Sequence, residues 1–346
     1  MHVKCPKCGG EAERDPDTMD TFVCSSWYFL RYVDPHNDKE PFDKKKAAAW
    51  MPINLYIGGI THATGHLIYF RFFHKFLQDI GWVNTPEPAT KLFNHGMVMD
   101  AKGEVMSKSL GNVVSPIDLM ATRGVDVSRL AMYFTAPSEK EVLWSDESIT
   151  GVEKFVLNKF YPLHAGLRDA KPDLKQYFKR SDLSDAEWTL YIKLNQTIRK
   201  VSESIDRLQF NTAIAALMEL VRDYDSAAVK NDRFNDYLIL KAVQLIAPMT
   251  PHLSEEIWSL AGNTDSIFKS HWPEFDPEAV TADTIEIAVQ VNGKLRDSVQ
   301  VPVDADQSQV EQEAGKSARV SSFLEGKTVV KKIYVPGRIL NIVVKG

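Results

Sequence analysis

The chain has 346 residues, with 41 Lys and Arg against 46 Asp and Glu, a net charge of −5. At roughly 100–200 residues per domain this predicts two or three domains, and 44% hydrophobic with 25% charged residues excludes a disordered, collagen-like or disulfide-stapled chain. The mildly acidic balance excludes holding nucleic acid by bulk charge, which leaves local basic patches; the lack of any run of about 18 apolar residues excludes a membrane-spanning helix.

In chain order, the start MHVKCPKCGG has neither the basic nor the apolar region of a secretory leader, so a cytoplasmic location without a membrane partner is expected. Cys5 and Cys8 are spaced C-x-x-C, which suits a metal or redox knuckle better than a structural disulfide. A structural zinc needs four ligands, and beyond Cys5 and Cys8 only Cys24, His2 and the other histidines could complete it. Zn2+ is therefore a minor expectation beside a knuckle whose partner strand is missing, and Cys24 is expected to be a buried thiol.

Residues 17–33 are rich in aromatics and small hydroxyls. Asn54–Ile57 reads as a strand ending at Gly58-Gly59. A helix follows, with apolar positions Leu67, Ile68, Phe70, Phe72, Phe73, Phe76, Leu77 and Ile80, stopped by Gly81. Lys91–Met99 is a second strand, so this stretch predicts the first half of a parallel βαβ unit. A Ser/Lys/Gly loop and helices near 115–122 and 126–134 come next. From about 150 to 265 the pattern is helical, as in a bundle. After a linker at His271-Trp272-Pro273, Ile285–Val291 alternates, Asn292-Gly293 marks a hairpin, a polar helix spans about 306–322, and a second hairpin turns at Pro336-Gly337.

The chemistry concentrates in Met106-Ser107-Lys108-Ser109-Leu110-Gly111-Asn112. A loop of this kind can wrap a triphosphate: the ammonium offsets charge developing on the phosphates, and backbone N–H groups and serine hydroxyls add donors. The same tripeptide also occurs in solvated surface loops. Its place after a strand and before a helix favours phosphate. Glycines at a strand end, as at Gly58-Gly59, let backbone approach a nucleoside closely. His62 and His66, at i and i+4, are expected on one helix face; a zinc pair or a histidine-bearing helix surface are the alternatives.

These strings resemble the leucyl-tRNA synthetases, class I aminoacyl-tRNA synthetases. The likeness is carried in family order by DTMDTFVCSSWYFLRY (17–32), YIGGITHATGHLIYFRFFHKFL (56–77), GMVMDAKGEVMSKSLGNVVSP (96–116), FNTAIAALMELV (210–221), LIAPMTPHLSEEIW (245–258), VQVNGKLRD (289–297) and VVKKIYVPGRILNIVV (329–344). The resemblance implies ATP-dependent activation of leucine, with Mg2+, followed by transfer to tRNA(Leu). Lys108, with Ser107 and Ser109, would be the catalytic loop residues. Gly58, Gly59, Thr61, His62, His66 and Met106 would bind ATP or the adenylate. Ser25, Ser26 and Tyr28 would sit near the amino acid and the CCA end, unless that segment is simply a buried aromatic turn.

Two positions depart from the family pattern. Val105 stands where the first lysine of the loop is usual. Thr61 stands where an acidic residue usually meets the ribose; losing such a charge-assisted hydrogen bond costs about 1.5–3 kcal/mol. The H-I-G-H signature of the fold's first half is not found, and neither is an editing domain. The expectation is therefore the C-terminal half of such an enzyme: a piece of it, the second subunit of a split enzyme whose partner is an N-terminal half-synthetase chain, or a relative that keeps only tRNA contacts.

The fold class read from all this is multidomain α/β plus α plus α+β. Residues 1–114 are the second half of a Rossmann-like nucleotide fold, and 115–150 a stem-contact region. A helical bundle of anticodon-binding type follows at 151–270, then a linker at 271–284 and a ββαββ domain at 285–346. The bundle's Arg199, Lys200, Arg207 and Arg222 are candidate phosphate contacts, each equally at home on a solvated helix face. Lys294, Arg296, Lys331, Lys332 and Arg338, in a terminal module that also holds Lys316, Arg319, Lys327 and Lys345, are expected to meet tRNA by shape and phosphate.

Overall fold

A computed structural model describes residues 2–281, 284–302 and 305–345. The chain divides into one unit formed by Met1–Val114 with Ser138–Ser145 and another formed by Ser115–Pro137 with Asp146–Gly346.

The first unit opens on a hairpin of β1 (His2–Lys4) and β2 (Glu11–Glu13), closed by Cys5 N–H donating to Gly10 O at 2.8 Å. Three short helices follow: α1 (Thr21–Ser25), capped by the Asp20 carboxylate, α2 (Tyr28–Val33), and α3 (Lys44–Trp50), capped by Asp43. Then β3 (Tyr56–Gly59), α4 (His66–Asp79) and β4 (Leu92–His95) form the expected parallel unit, with Tyr56 opposite Leu92 and Gly59 opposite His95. The helix buries His66, Phe70, His74 and Leu77, one stripe at helical spacing, and the local core is Phe29, Leu30, Phe42, Ala47, Phe70 and Leu77.

The single strand expected over 91–99 is two. After β4 the chain breaks at Gly96, and β5 (Val98–Met99) pairs in parallel with β6 (Val142–Leu143). The cause is a backbone crossing: a Cβ on Gly96 would lie 2.0 Å from Lys140 O, and Gly96 N–H donates to Ser138 O at 3.0 Å. Segment 138–145 thereby belongs to the first unit, so the region expected as one piece at 115–150 is split.

The second unit begins with α5 (Pro116–Arg123), capped by Ser115 with proline in its first turn, and α6 (Val125–Phe134). The bundle proper is α7 (Asp146–Phe155), α8 (Asp185–Asp206), α9 (Phe210–Ser226), α10 (Asp232–Ile246) and α11 (Pro251–Leu260). A capping box between Ser184 and Glu187 starts α8. Every residue of α10 from Phe234 to Ile246 is buried, as expected of a helix surrounded by others.

The linker expected at 271–284 is instead tied to this bundle through α12 (Pro277–Thr281). Trp272 Nε1 donates to Ser202 Oγ (2.8 Å), Tyr191 OH to Asp276 (3.0 Å), and Asp276 N–H to Asn195 Oδ1 (2.8 Å). Ala282 and Asp283, its last part, lie outside the described residues.

The C-terminal strands are β7 (Thr284–Val291), β8 (Lys294–Pro302), β9 (Thr328–Val335) and β10 (Ile339–Lys345), in the order β8-β7-β10-β9. The two central strands are parallel and both hairpins antiparallel. The single helix expected at 306–322 is two, α13 (Gln307–Lys316) and α14 (Ala318–Leu324). Ser317 separates them: its hydroxyl accepts from Val320 N–H, capping the second, and donates to Asp297 at 2.5 Å. The module is thus ββααββ.

Candidate functional site

A cavity of about 450 Å³ opens in the first unit at the carboxyl ends of β3 and β4, lined by Thr21, Phe22, Ser25, Tyr28, Tyr56, Ile57, Gly58, Gly59, His62, His66, Leu67, Leu92, Asn94 and His95. Carboxyl ends of parallel strands are where α/β sheets place their ligands, and the volume suits a small molecule. Gly59 keeps the strand end bare: a Cβ there would sit 3.6 Å from the His95 ring.

Four side chains form one hydrogen-bonded line along the cavity. Ser25 Oγ is 3.2 Å from His66 Nδ1, His66 Nε2 is 2.7 Å from Tyr56 OH, and Tyr56 OH is 2.8 Å from Tyr28 OH. The Tyr56 ring stacks on Phe70 at 4.4 Å. Burial, and then the neighbouring His62, lower the pKa of His66. Burial, reinforced by the bond to Tyr28, raises that of Tyr56 far above its usual value. At neutral pH the line is therefore uncharged, with one imidazole nitrogen donating and the other accepting. His95 Nδ1–H donates to Gly96 O at 2.8 Å. Neutral polar groups beside Phe22, Leu67 and Leu92 suit a ligand with an aliphatic part and directed polar atoms, not a bare ion.

The expected site residues divide here. Ser25, Tyr28, Gly58, Gly59, His62 and His66 line the cavity. Ser26 does not: it is buried, and its hydroxyl donates to Val23 O at 2.5 Å within its own helical turn. Thr61 is exposed beside Gly59 and is not among the lining residues. His62 and His66 are not on one helix. His62 lies in a 3-10 turn, Ile60–Thr64, separated from α4 at Gly65, where a Cβ would meet the Phe22 ring at 3.2 Å. Their rings still meet edge to face, 5.7 Å apart. Cys24 is exposed, not buried, since α1 buries none of its residues. Tyr56, Asn94 and His95 were missed by sequence reasoning: Asn94 and His95 fall midway along the single strand expected over 91–99 and become a strand end only because the chain breaks at Gly96, and Tyr56 joins the site through hydrogen bonds that no motif announces.

The loop residues do not line this cavity. Met106 and Ser107 are half-buried, Lys108 and Ser109 exposed. Ser107 Oγ and Ser109 Oγ are 3.1 Å apart, and the loop turns on its own N–H groups, Leu110 to Ser107 O and Gly111 to Lys108 O, with Gly111 at φ +66°.

Cys5 and Cys8 meet at the tip of the first hairpin. Backbone N–H groups of Cys8 and Lys7, together with the Cys8 thiol, hold the Cys5 pKa below its usual value, the polarity that favours a metal-binding thiolate. Among the described residues no three His, Cys, Asp or Glu side chains converge on one point, short of the four ligands of a structural zinc.

The basic residues of the C-terminal sheet do not form one patch. Lys332 stands opposite Ile342 on the helix-covered face and pairs with Glu311 at 2.6 Å, while Lys331 points to the other face. The Arg296 guanidinium lies 3.8 Å over the Phe323 ring. Lys294 and Arg338 are exposed at opposite ends of the β7–β10 ladder. In the bundle, Arg199 pairs with Glu203 and Arg222 with Asp223, whereas Lys200 and Arg207 are exposed.

Comparison with known proteins gives two family matches: "tRNA synthetases class I (I, L, M and V)" over residues 2–145 and "Anticodon-binding domain of tRNA ligase" over 187–312. The chain is 42% identical over 349 residues to a leucine–tRNA ligase of Thermotoga maritima, covering 99% of this chain and 42% of that protein. It is 43% identical over 350 residues to one from Caldanaerobacter subterraneus, with the same shares. Among solved structures it resembles the LeuRS of Agrobacterium radiobacter K84 in a ternary complex with tRNA and LeuAMS, with 36% identity and a TM-score of 0.77, covering all of this chain and 44% of that one. A methionyl-tRNA synthetase of Mycobacterium tuberculosis shares the fold at 21% identity and TM-score 0.52. The chain thus spans less than half the length of these leucine–tRNA ligases. Among the described residues no helix is long and apolar enough to cross a membrane.

Proposed function

We propose that this chain, which belongs to the leucyl-tRNA synthetase family and corresponds to its C-terminal portion, contributes part of the leucyl-adenylate pocket, the phosphate-facing loop and the tRNA-holding rear of a leucine–tRNA ligase. The carrying observation is the neutral Ser25–His66–Tyr56–Tyr28 line at the carboxyl ends of two parallel strands. Uncharged polar groups beside apolar walls can hold an aliphatic side chain and hydrogen-bond a nucleoside.

In this reading leucine's carboxylate displaces pyrophosphate from ATP. Lys108, exposed on its loop, meets the negative charge that grows on the leaving phosphates, and Ser107 and Ser109 add donors. Mg2+ would be held largely by the phosphates themselves, as is usual for that ion. The bundle, of which α9, α10, α11 and nearly all of α8 fall in the anticodon-binding match, would support tRNA(Leu), with Lys294, Lys331 and Arg338 as exposed contacts of the terminal sheet.

The test is ATP–pyrophosphate exchange dependent on leucine. The chain alone is expected to show none; a supplied N-terminal half-synthetase chain is expected to restore it, and Lys108→Ala in that mixture to lower kcat by roughly 100-fold or more, as for other lost electrostatic stabilisers. Exchange insensitive to Lys108→Ala would contradict the assignment. A second reading, a tRNA-binding relative without ligase activity, is favoured by the Thr61 hydroxyl at the position where the family usually carries a ribose-binding acid; it predicts tRNA(Leu) binding with no exchange under any mixture.

A further inference from the structure

The loop that carries Lys108 is held at its neck by two side chains that the reading above does not use. Strand β5 ends at Met99, which bridges Val105 in antiparallel fashion. Between them Asp100 organises a tight turn: its Oδ1 accepts the N–H groups of Lys102 and Glu104, each at 2.9 Å. The other carboxylate oxygen, Oδ2, accepts Asn112 Nδ2 at 3.0 Å. Asn112 is the residue at which the loop returns. Its Oδ1 accepts Ser107 N–H at 2.9 Å, and its Nδ2 also reaches Val105 O at 3.3 Å.

One amide thus ties the outgoing strand to the returning one. Within 106–111, Ser107 is tied to Asn112 through its N–H, and the tip beyond it turns on Leu110 N–H to Ser107 O and Gly111 N–H to Lys108 O. Bonds from Asn112, then from the Glu104 and Lys102 N–H groups, keep the Asp100 carboxyl ionised below its usual pKa, so the acceptor side of the clamp keeps its charge at neutral pH.

From this geometry we infer that Asp100 and Asn112 are positioning residues that fix the neck of the Ser107–Gly111 loop, so that Lys108 is presented to a triphosphate from one conformation. The inference rests on the phosphate-facing reading of Lys108. A loop free at its neck would have to be ordered when nucleotide binds, and that ordering opposes binding. A neck ordered in advance leaves only the tip to settle on the phosphates.

The test exchanges the two partners. Asp100→Asn sets an amide donor against the Asn112 donor, and Asn112→Asp sets two carboxylates together. The double variant D100N/N112D restores a donor–acceptor pair in the opposite sense, and the carboxylate introduced at position 112 can still accept Ser107 N–H, losing only the longer bond to Val105 O. Hydrogen–deuterium exchange is read on peptides spanning 105–112, with α4 as the folding control. Each single variant is expected to speed exchange of the loop about tenfold, and the double variant to return within about threefold of the parent, the coupling expected of a direct contact. Loop exchange unchanged in the single variants, or a double variant no better than either single one, overturns the clamp.

A parallel arm adds ATP with Mg2+ to the parent chain. Slower exchange at Ser107–Gly111 supports the positioning role. Unchanged exchange with an intact clamp overturns the phosphate reading and, with it, the role, which separates that failure from a failure of the clamp itself.

Discussion

Two helices of similar apolar content meet different fates. In the bundle, α10 is enclosed along its whole length from Phe234 to Ile246. In the first unit, α4 encloses His66, Phe70, His74 and Leu77 but leaves Ile68, Phe72 and Phe76, a second stripe at i, i+4 and i+8, at 58%, 71% and 48% exposure. The bundle is a finished core. The first unit presents two-stranded pieces, β3–β4 and β5–β6, whose helix is apolar on more faces than the described residues cover. Apolar composition alone does not tell these cases apart; the number of neighbours that each face finds does.

That contrast can be broken most forcefully in the bundle. Leu217→Ala removes a fully buried side chain of α9 and should cost about 2–5 kcal/mol in a denaturant titration. In the first unit the corresponding weak point is a backbone crossing rather than a core. Gly96→Ala, whose methyl would lie 2.0 Å from Lys140 O, should cost about 1–3 kcal/mol. Gly151→Ala in α7, with open space around it, should be neutral or gain up to about 1 kcal/mol.

Acid sharpens the comparison further. Burial raises the Glu187 pKa, but bonds from the Ser184 hydroxyl and from the backbone of Asn231, Ser184 and Lys230 outweigh it and hold the carboxyl at about 2. A pKa depressed in the folded state stabilises above the unfolded value of 4.5, and that support is lost as pH falls from there toward about 2. The bundle should lose about 2–3 kcal/mol across this window, and Glu187→Gln should flatten the loss. Glu87 in the first unit is also held at about 2, by Arg71 and then Lys75, but it lies on the surface, where solvent screens the pair and little stability follows. The smallest effect belongs to the open stripe: Phe72→Ala should change the stability of this chain by no more than about 0.5 kcal/mol.

Local signals in the sequence were sufficient where one residue type decides the backbone. Asn292-Gly293, both at positive φ (53° and 75°), make the tight hairpin that the dipeptide predicts, and Gly58-Gly59 end a strand followed by a helix as expected. What was not legible depends on partners distant in sequence. Nothing near Gly96 announces Lys140, and nothing near Gly65 announces Phe22. Asp276 makes a linker part of the bundle by reaching Tyr191 and Asn195. The period of two puts adjacent Lys331 and Lys332 on opposite faces, a fact visible only once the core-facing partner of each is known. Of the pocket, His62, His66, Gly58 and Gly59 could be named from the sequence. Tyr56, which joins His66 to Tyr28, could not, because its role is a hydrogen bond and not a motif.

The most direct test of the account follows the histidine ring signals by NMR while a non-hydrolysable leucyl-adenylate analogue is titrated into the chain. The account predicts that, of the nine histidines, His62, His66 and His95 shift together and saturate with one midpoint. Saturable shifts confined to histidines of the second unit, such as His164 and His252, or no shift at millimolar analogue, would contradict it.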